Sequence, residues 1–417
     1  MTEYSNVPIV AGRFPGVKSG THGLNLWKPS DWQDHSASRF HPPGFLDWLE
    51  CLPELKGVPT ETLSGSSVRP GWHHLPARSE KPVDPPAGLP GQLFSTFRDA
   101  LFNPEYTSCY RLVHGVADGW DGWFADRWGD VILVSSEKEF SAIPDNLLDY
   151  IKSTSTRLGT RSVYFQRWEK AVRGVDTAAL SPVHVSGQKI QNPFPVMENG
   201  LQYNIRFDEG YSVGIFTDHR DNRRRWIDRY IQPDWEIPSE GHMLNTFAYT
   251  CGFSLAAAKA GWITTSLDLS KKYIQWGEEN FLLNNIPTSG HDFVFGDAFE
   301  WMMRLIKRKK QFDAVVLDPP TFSKSRDSRR KSRIFRADKD FPELARLAAT
   351  LVRPGGIILA STNARTMAPM AFLKMLGDGL AKADREIGRV FFSGQGPDYP
   401  LTHDQMPHLK SFWIEVL

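Results

Sequence analysis

From about residue 220 onward, short apolar runs alternate with amphipathic stretches. Residues 243–245, 263–267, 293–295, 312–317 and 356–360 read as strands, too short and too evenly apolar for helices. Between them, 253–260, 271–285, 298–309 and 341–351 carry helical spacing. Repeated strand–helix units predict a mostly parallel, doubly wound sheet covered on both faces. Residues 410–417 read as a final strand, pairing antiparallel at the end of that sheet.

Upstream the pattern differs. Residues 110–114, 131–135 and 162–166 predict strands, and 94–101 and 147–158 predict helices. Gly115, Gly119, Gly122 and Gly129 mark turns between them. An Asn199-Gly200 pair between two apolar runs is a strong hairpin signal. The first 90 residues hold 13 of the 29 prolines and show no sustained period. Their tryptophans and phenylalanines suggest a segment that packs against the body. The expected parts are an irregular proline-rich extension (1–91), a small α+β domain (92–185), and the α/β sheet domain with its N-terminal hairpin (186–417).

Composition changes this picture little. Lys and Arg number 49 against 48 Asp and Glu, a net charge of +1, so any nucleic-acid footprint must be local. Cys51, Cys109 and Cys251 lie far apart without a CxxC, which argues against a disulfide framework or a zinc site. No metal is expected. No apolar stretch is long enough to span a membrane, and the N-terminus lacks a secretory pattern. A reducing cytoplasm is the default compartment, and monomer and homodimer both fit.

The candidate chemistry sits at strand ends. Asp318-Pro319-Pro320-Thr321-Phe322-Ser323 closes the strand at 312–317. Two prolines cannot continue the ladder, so the chain turns out rigidly there. A carboxylate, an unmasked carbonyl at Pro319 and the ring of Phe322 suit a flat nitrogenous base. Asp268 and Asp297 end two neighbouring strands. In a parallel sheet such ends line one crevice, and an acid after the second strand suits ribose hydroxyls. The plainer reading of each acid is a cap on the following helix, though three such acids together with the Pro-Pro turn favour a crevice. The first loop, 245–253, has one glycine and lacks the G-x-G-x-x-G of a dinucleotide fold, which disfavours a dehydrogenase.

Together, 216–223, 245–253, 266–270, 275–280 and 318–323 resemble the class I S-adenosylmethionine-dependent methyltransferases that modify bases of large-subunit ribosomal RNA. Residues 110–129 resemble the small central domain of that family. The resemblance implies a seven-stranded Rossmann-like sheet and S-adenosylmethionine as cofactor. It implies that Asn245, Thr246, Tyr249, Gly252 and Phe253, with Phe247 and Thr250 of the same loop, wrap the methionine part. Asp268, beside Leu269, would hold the ribose, and Asp297 and Ala298 the adenine. Asp318 would face the reacting centre, and Phe216, Asp218 and Arg220 would close the site.

The sequence departs from the family in three ways. No N-terminal RNA-binding barrel is evident. Cys251 stands where a glycine is usual. The Ser-Cys-Ser stretch of the cytosine-C5 branch is replaced by Ala360-Ser361-Thr362-Asn363-Ala364-Arg365. Carbon 5 of a pyrimidine needs a thiolate added at carbon 6, which disfavours C5 chemistry by that route; the run Asp318 to Ser323, the triplet Asp218-His219-Arg220 and Asn363 instead resemble the guanine-N7 branch. Guanine N7 already carries a lone pair and asks only for positioning and electrostatics. An exocyclic amine is a further nitrogen acceptor.

Residues 324–336 carry seven basic residues and one acid. A basic loop beside the catalytic turn suits an RNA backbone. Lys324, Arg326, Arg329, Arg330, Lys331 and Arg333 are its candidate contacts, and Arg223 is another. The competing readings are a DNA-base or small-molecule methyltransferase, a C5 enzyme with a different nucleophile, and a non-catalytic RNA-binding assembly protein.

Overall fold

The computed structural model describes residues 102–137, 142–168, 180–232, 235–326, 332–396, 398–399 and 407–417. The proline-rich extension and the expected 94–101 helix lie outside the described residues. Contacts divide the described chain into two compact units, which part at Arg220/Asp221.

The smaller unit runs from residue 102 to Arg220 and also takes residues 396, 398 and 399. Its five strands are β1 (Cys109–His114), β2 (Trp123–Trp128), β3 (Val131–Ser136), β4 (Ser162–Arg167) and β5 (Val183–Gly187), in that spatial order. Helix α1 (Asp145–Leu158) links the parallel pair β3 and β4. Leu147 and Ile151 of its inner face pack with Leu112, Trp123, Ile132 and Val163. The predicted hairpin forms from β6 (Phe194–Glu198) and β7 (Leu201–Ile205). Asn199 and Gly200 turn it with φ of 53° and 73°, the pair of left-handed residues a tight hairpin needs.

This hairpin belongs to the smaller unit, which moves the boundary expected at 185/186. The reason is its hydrogen bonding. Ser108 N–H donates to the Met197 carbonyl at 2.8 Å, and Gly200 N–H donates to the Tyr106 carbonyl at 2.9 Å. A buried ionic cluster lies in the same unit. Asp398 receives the Arg111 N–H at 2.9 Å and both terminal nitrogens of Arg220.

The larger unit opens with α2 (Arg220–Asp228) and the short pair β8 (Tyr230–Gln232) and β9 (Trp235–Glu236). The predicted alternation follows: β10 (His242–Thr246), α3 (Gly252–Lys259), β11 (Ile263–Asp268), α4 (Lys271–Leu283), β12 (Asp292–Phe295), α5 (Ala298–Lys307) and β13 (Phe312–Leu317). A hairpin of β14 (Phe322–Arg326) and β15 (Ser332–Arg336) precedes α6 (Ala337–Leu351). Then come β16 (Val352–Thr362), α7 (Pro369–Ala381), β17 (Ile387–Ser393) and β18 (Lys410–Val416). The sheet order is β12-β11-β10-β13-β16-β18-β17, parallel from β12 to β16.

The final strand and the helix before β16 differ from expectation. The final strand is interior: β18 lies between β16 and β17, antiparallel to both. Its alternation serves two faces. Phe412, Ile414 and Val416 join the core under α6 and α7, while Trp413 meets Trp226 of α2 at 5.1 Å. Helix α6 begins four residues before the expected 341, and Pro342 lies inside it. A proline reads as a helix start because it lacks an N–H. Here Phe341, Leu344 and Ala345 are fully buried around it, and that packing holds the helix through the missing bond.

Candidate cofactor and acceptor site

Parallel pairing levels the strand ends. Thr246 stands opposite Leu267 and Leu317, and Leu317 opposite Ala360. The chain runs outward from β10 to β11 and β12, then returns to β13 on the other side of β10. That reversal is the point at which doubly wound sheets open a ligand crevice.

The loop after β10 is tightly wound. Phe247, Tyr249 and Cys251 all adopt left-handed φ, at 57°, 48° and 62°. Non-glycine residues hold such angles only where the surroundings fix them. Tyr249 N–H donates to Asp268 Oδ2 at 2.9 Å, Ala248 N–H to the Leu267 carbonyl at 3.0 Å, and Asn280 Nδ2 to the Thr250 carbonyl at 3.1 Å.

Cys251 takes the place of the family's glycine without facing the crevice. It is fully buried, and its Sγ fills the space over Gly277, where an added Cβ would stand 2.3 Å from it. Burial pushes the thiol up to about 12. A thiol so placed is a packing group, not a nucleophile. Cys109, in the smaller unit, is also fully buried.

Four of the expected cofactor residues brace this loop from within. Asn245 Nδ2 donates to Ser254 Oγ at 2.9 Å, and Ser254 is bonded to Ser266 Oγ at 2.7 Å. Thr246 Oγ1 donates to the Val316 carbonyl at 2.7 Å. Thr250 and Phe253 are buried, and Phe253 lies under the Arg223 guanidinium at 5.8 Å. The side chains of these four are engaged within the protein, and what they shape is the backbone of the loop. Tyr249 and Phe247 are half-buried, and the Tyr249 ring meets Tyr273 edge-on at 4.7 Å.

Asp268 staples the loop to the end of β11. Its oxygens accept N–H bonds from Tyr249 and from Ser270, the latter at 2.8 Å. Burial raises its carboxyl pKa, and those N–H groups oppose the rise. Each carboxylate oxygen has a second lone pair to offer a ribose hydroxyl. Leu269 beside it is 49% exposed. Asp297 caps α5 by accepting the Glu300 N–H at 3.1 Å, and Ala298 is the buried first residue of that helix.

The turn after β13 forms the other wall. Asp318 is half-buried and Pro319 buried, while Pro320, Thr321 and Phe322 are exposed, Phe322 at 60%. Thr321 Oγ1 donates to Asn363 Oδ1 at 2.7 Å, and its carbonyl accepts the Ala337 N–H at 3.1 Å. Asn363 follows β16 directly. Lys410 holds the turn behind it: Nζ donates to the carbonyls of Ala364 at 2.7 Å, His408 at 3.0 Å and Pro407 at 3.2 Å. Burial pulls the Lys410 pKa down to about 8. Three carbonyls match the three N–H bonds of the ammonium form.

The remaining expected positions fall on other elements. Phe216, Asp218 and Arg220 belong to the smaller unit. Phe216 is exposed and Asp218 half-buried. Arg220 is 2% exposed, paired with Asp398, and lies over the Phe102 ring at 4.2 Å, so its guanidinium is a structural charge. Arg223, expected as an RNA contact, is 3% exposed and packs on Gly252 and Phe253. Lys324, Arg326 and Arg333 fall on the strands β14 and β15 rather than a loop. Arg329, Arg330 and Lys331 lie outside the described residues.

A doubly wound sheet with a wound, glycine-poor first loop, an acid at the end of the second strand and an acid-Pro-Pro turn at the switch point has the arrangement of a class I methyltransferase. The donor set fits a nucleoside without a pyrophosphate, since no glycine-rich phosphate cradle is present in the loop after β10. The family model of S-adenosylmethionine-dependent methyltransferases matches residues 111–400, and the chain belongs to that family and uses S-adenosylmethionine. A protein of Methanocaldococcus jannaschii named "Putative ribosomal RNA large subunit methyltransferase" is 30% identical over 315 residues, 75% of each chain. "Ribosomal RNA large subunit methyltransferase I" of Citrobacter koseri is 27% identical over 327 residues, 77% of this chain and 78% of its own. Among solved structures, a "putative methyltransferase complexed with SAH" is 25% identical, with a TM-score of 0.65 over 78% of this chain and 80% of that one.

Sequence reasoning missed the bracing roles of Ser254, Gly277 and Lys410. Gly277 carried a signal: a glycine inside a helix costs stability unless something approaches closely.

Proposed function

We propose that this protein methylates a base nitrogen of large-subunit ribosomal RNA, with guanine N7 as the acceptor. The relatives' names support the substrate class. The observation that carries the acceptor is the wall beside Asp318, where Thr321 and Asn363 pair and neither described cysteine is exposed. Bound S-adenosylmethionine supplies an electrophilic methyl on a sulfonium. Its transfer breaks the sulfur–carbon bond, forms the N7–carbon bond with the ring lone pair, and moves no proton. The remaining tasks are positional. Phe322 offers a face for stacking, and Asp318 stabilises the positive charge that develops on the base.

An exocyclic amine is the second reading, favoured by the acceptors Asp318 and the Pro319 carbonyl, which suit amino hydrogens. The assembly-protein alternative loses its Cys251 argument, because Gly277 accommodates that side chain.

The test is methylation of protein-free large-subunit RNA from cells lacking this protein, with the product identified by nucleoside mass spectrometry. 7-Methylguanosine is expected. 5-Methylcytidine overturns the nitrogen acceptor. In the same RNA, neutralising Arg329, Arg330 and Lys331 together lowers affinity and flattens its salt dependence, each phosphate contact being worth about one unit of slope. An unchanged slope removes the basic hairpin from the RNA interface.

A further inference from the structure

Asn363 stands on the acceptor wall with its two amide atoms in different situations. Oδ1 accepts the Thr321 hydroxyl at 2.7 Å. Nδ2 keeps two N–H bonds to give, and the residue is exposed. The position is fixed from three sides. Thr321 belongs to the turn that carries Asp318, Thr362 Oγ1 accepts the Ala364 N–H at 3.3 Å, and Lys410 Nζ holds the Ala364 carbonyl. Such bracing from behind is what a specificity contact needs in order to discriminate.

A free carboxamide pairs with adenine by giving one N–H to N7 and taking one from N6. The Thr321 bond takes one of the two lone pairs of Oδ1 and holds that oxygen against the turn, so the end of the amide left to meet a base is Nδ2, a donor. The N7 edge of guanine carries two acceptors, N7 and O6, whereas that of adenine carries an acceptor and a donor. With N7 turned to the methyl group, the atom beside it is O6 in guanine and an amino group in adenine.

Building on the guanine-N7 reading above, we propose that Asn363 is the specificity residue of the acceptor site, its Nδ2 donating to O6 of the target guanine. Thr321 orients the amide, and Lys410 is a positioning residue behind it. A 6-amino purine presents hydrogens to hydrogens at this point and is rejected. The bond to O6 also withdraws electron density as N7 becomes cationic only weakly, so the main effect is on selection and orientation of the base, not on the intrinsic reactivity of N7.

The experiment uses the full chain, wild type, Asn363→Ala and Asn363→Asp, on unmethylated, protein-free large-subunit RNA. The readouts are 7-methylguanosine by nucleoside mass spectrometry, kcat and KM for RNA, and S-adenosylmethionine affinity by calorimetry. Asn363→Ala loses one hydrogen bond, and Asn363→Asp sets an anion against the O6 lone pairs. The expected order of kcat/KM is therefore wild type, Ala, then Asp, with Asp down by about tenfold or more. Cofactor affinity stays within about twofold in both, which shows that the fold and the first loop are intact. If wild type makes 7-methylguanosine and Asn363→Asp retains its kcat/KM within about twofold, or is no worse than Asn363→Ala, the O6 contact is wrong while the N7 reading stands. If wild type methylates a different base or atom, the N7 reading fails and the O6 contact falls with it.

Discussion

On the β10 side of the crevice the wall is backbone, bent into three left-handed residues and held by buried side chains. On the β13 side the wall is side chain: Asp318, Thr321, Phe322 and Asn363 are exposed or half-buried on a turn that two prolines make rigid. The contrast fits two different ligands. A cofactor common to a large family can be met by main-chain groups, whose positions tolerate sequence change as long as the loop keeps its shape. An acceptor base must be distinguished from other bases, which takes particular side chains at particular points. Changes on the acceptor wall should therefore act on turnover, and changes on the loop should act on cofactor affinity and stability together.

The largest effect is expected at Asp318. Asp318→Asn keeps the shape of the turn and removes the charge, and single-turnover methylation of RNA should fall by about 10²–10³-fold. Calorimetric affinity for S-adenosylmethionine should change much less. A parallel loss of both would erase the division between the walls. Asp268→Asn comes next. It weakens the staple from Tyr249 and the ribose acceptor together, and cofactor affinity should drop by about 10–100-fold, the worth of a hydrogen bond to a charged group. The rate at saturating cofactor should hold near wild type.

Gly277→Ala is smaller and sharper. Its new methyl meets Cys251 Sγ and the loop backbone, and overpacking of this kind costs about 1–3 kcal/mol. Denaturant melts should show the loss, and Cys251→Gly in the same chain should restore most of it. Failure of the second change to compensate would mean that the two residues do not share one space. Cys251→Gly alone should leave methylation within about twofold, because the thiol takes no part in transfer.

The sheet was legible from alternation because parallel strands are buried on both faces and read as apolar runs, as in 312–317. The elements that escaped were those whose burial comes from elsewhere. Helix α2 opens Arg220-Asp221-Asn222-Arg223-Arg224-Arg225, and nothing in that polar run announces burial. Yet Arg225 is 2% exposed, lies over the Phe391 ring at 4.9 Å, and donates to the Asp221 carbonyl at 3.2 Å. Arginine stems and faces pack against aromatic rings, which charge counting does not register.

For the site, the three strand-end acids were visible as types but not as roles. Asp297 caps a helix, Asp268 staples a loop, and Asp318 stands half-buried on the turn after β13. Those roles depend on which N–H lies within reach, a three-dimensional fact. The cysteine at 251 was ambiguous for the same reason. Only its direction, toward Gly277 and away from the crevice, separates a nucleophile from a packing group.

The proposed transfer is direct, to a nitrogen, without covalent addition of the enzyme to the base. It is tested most directly with large-subunit RNA in which cytidine is replaced by 5-fluorocytidine. A C5 enzyme adds its nucleophile at carbon 6 and cannot be released once the fluorine blocks elimination. The account predicts full methyl incorporation, repeated turnover and no protein–RNA adduct on a denaturing gel. A stable adduct, with methylation stopped after one turnover, would contradict it.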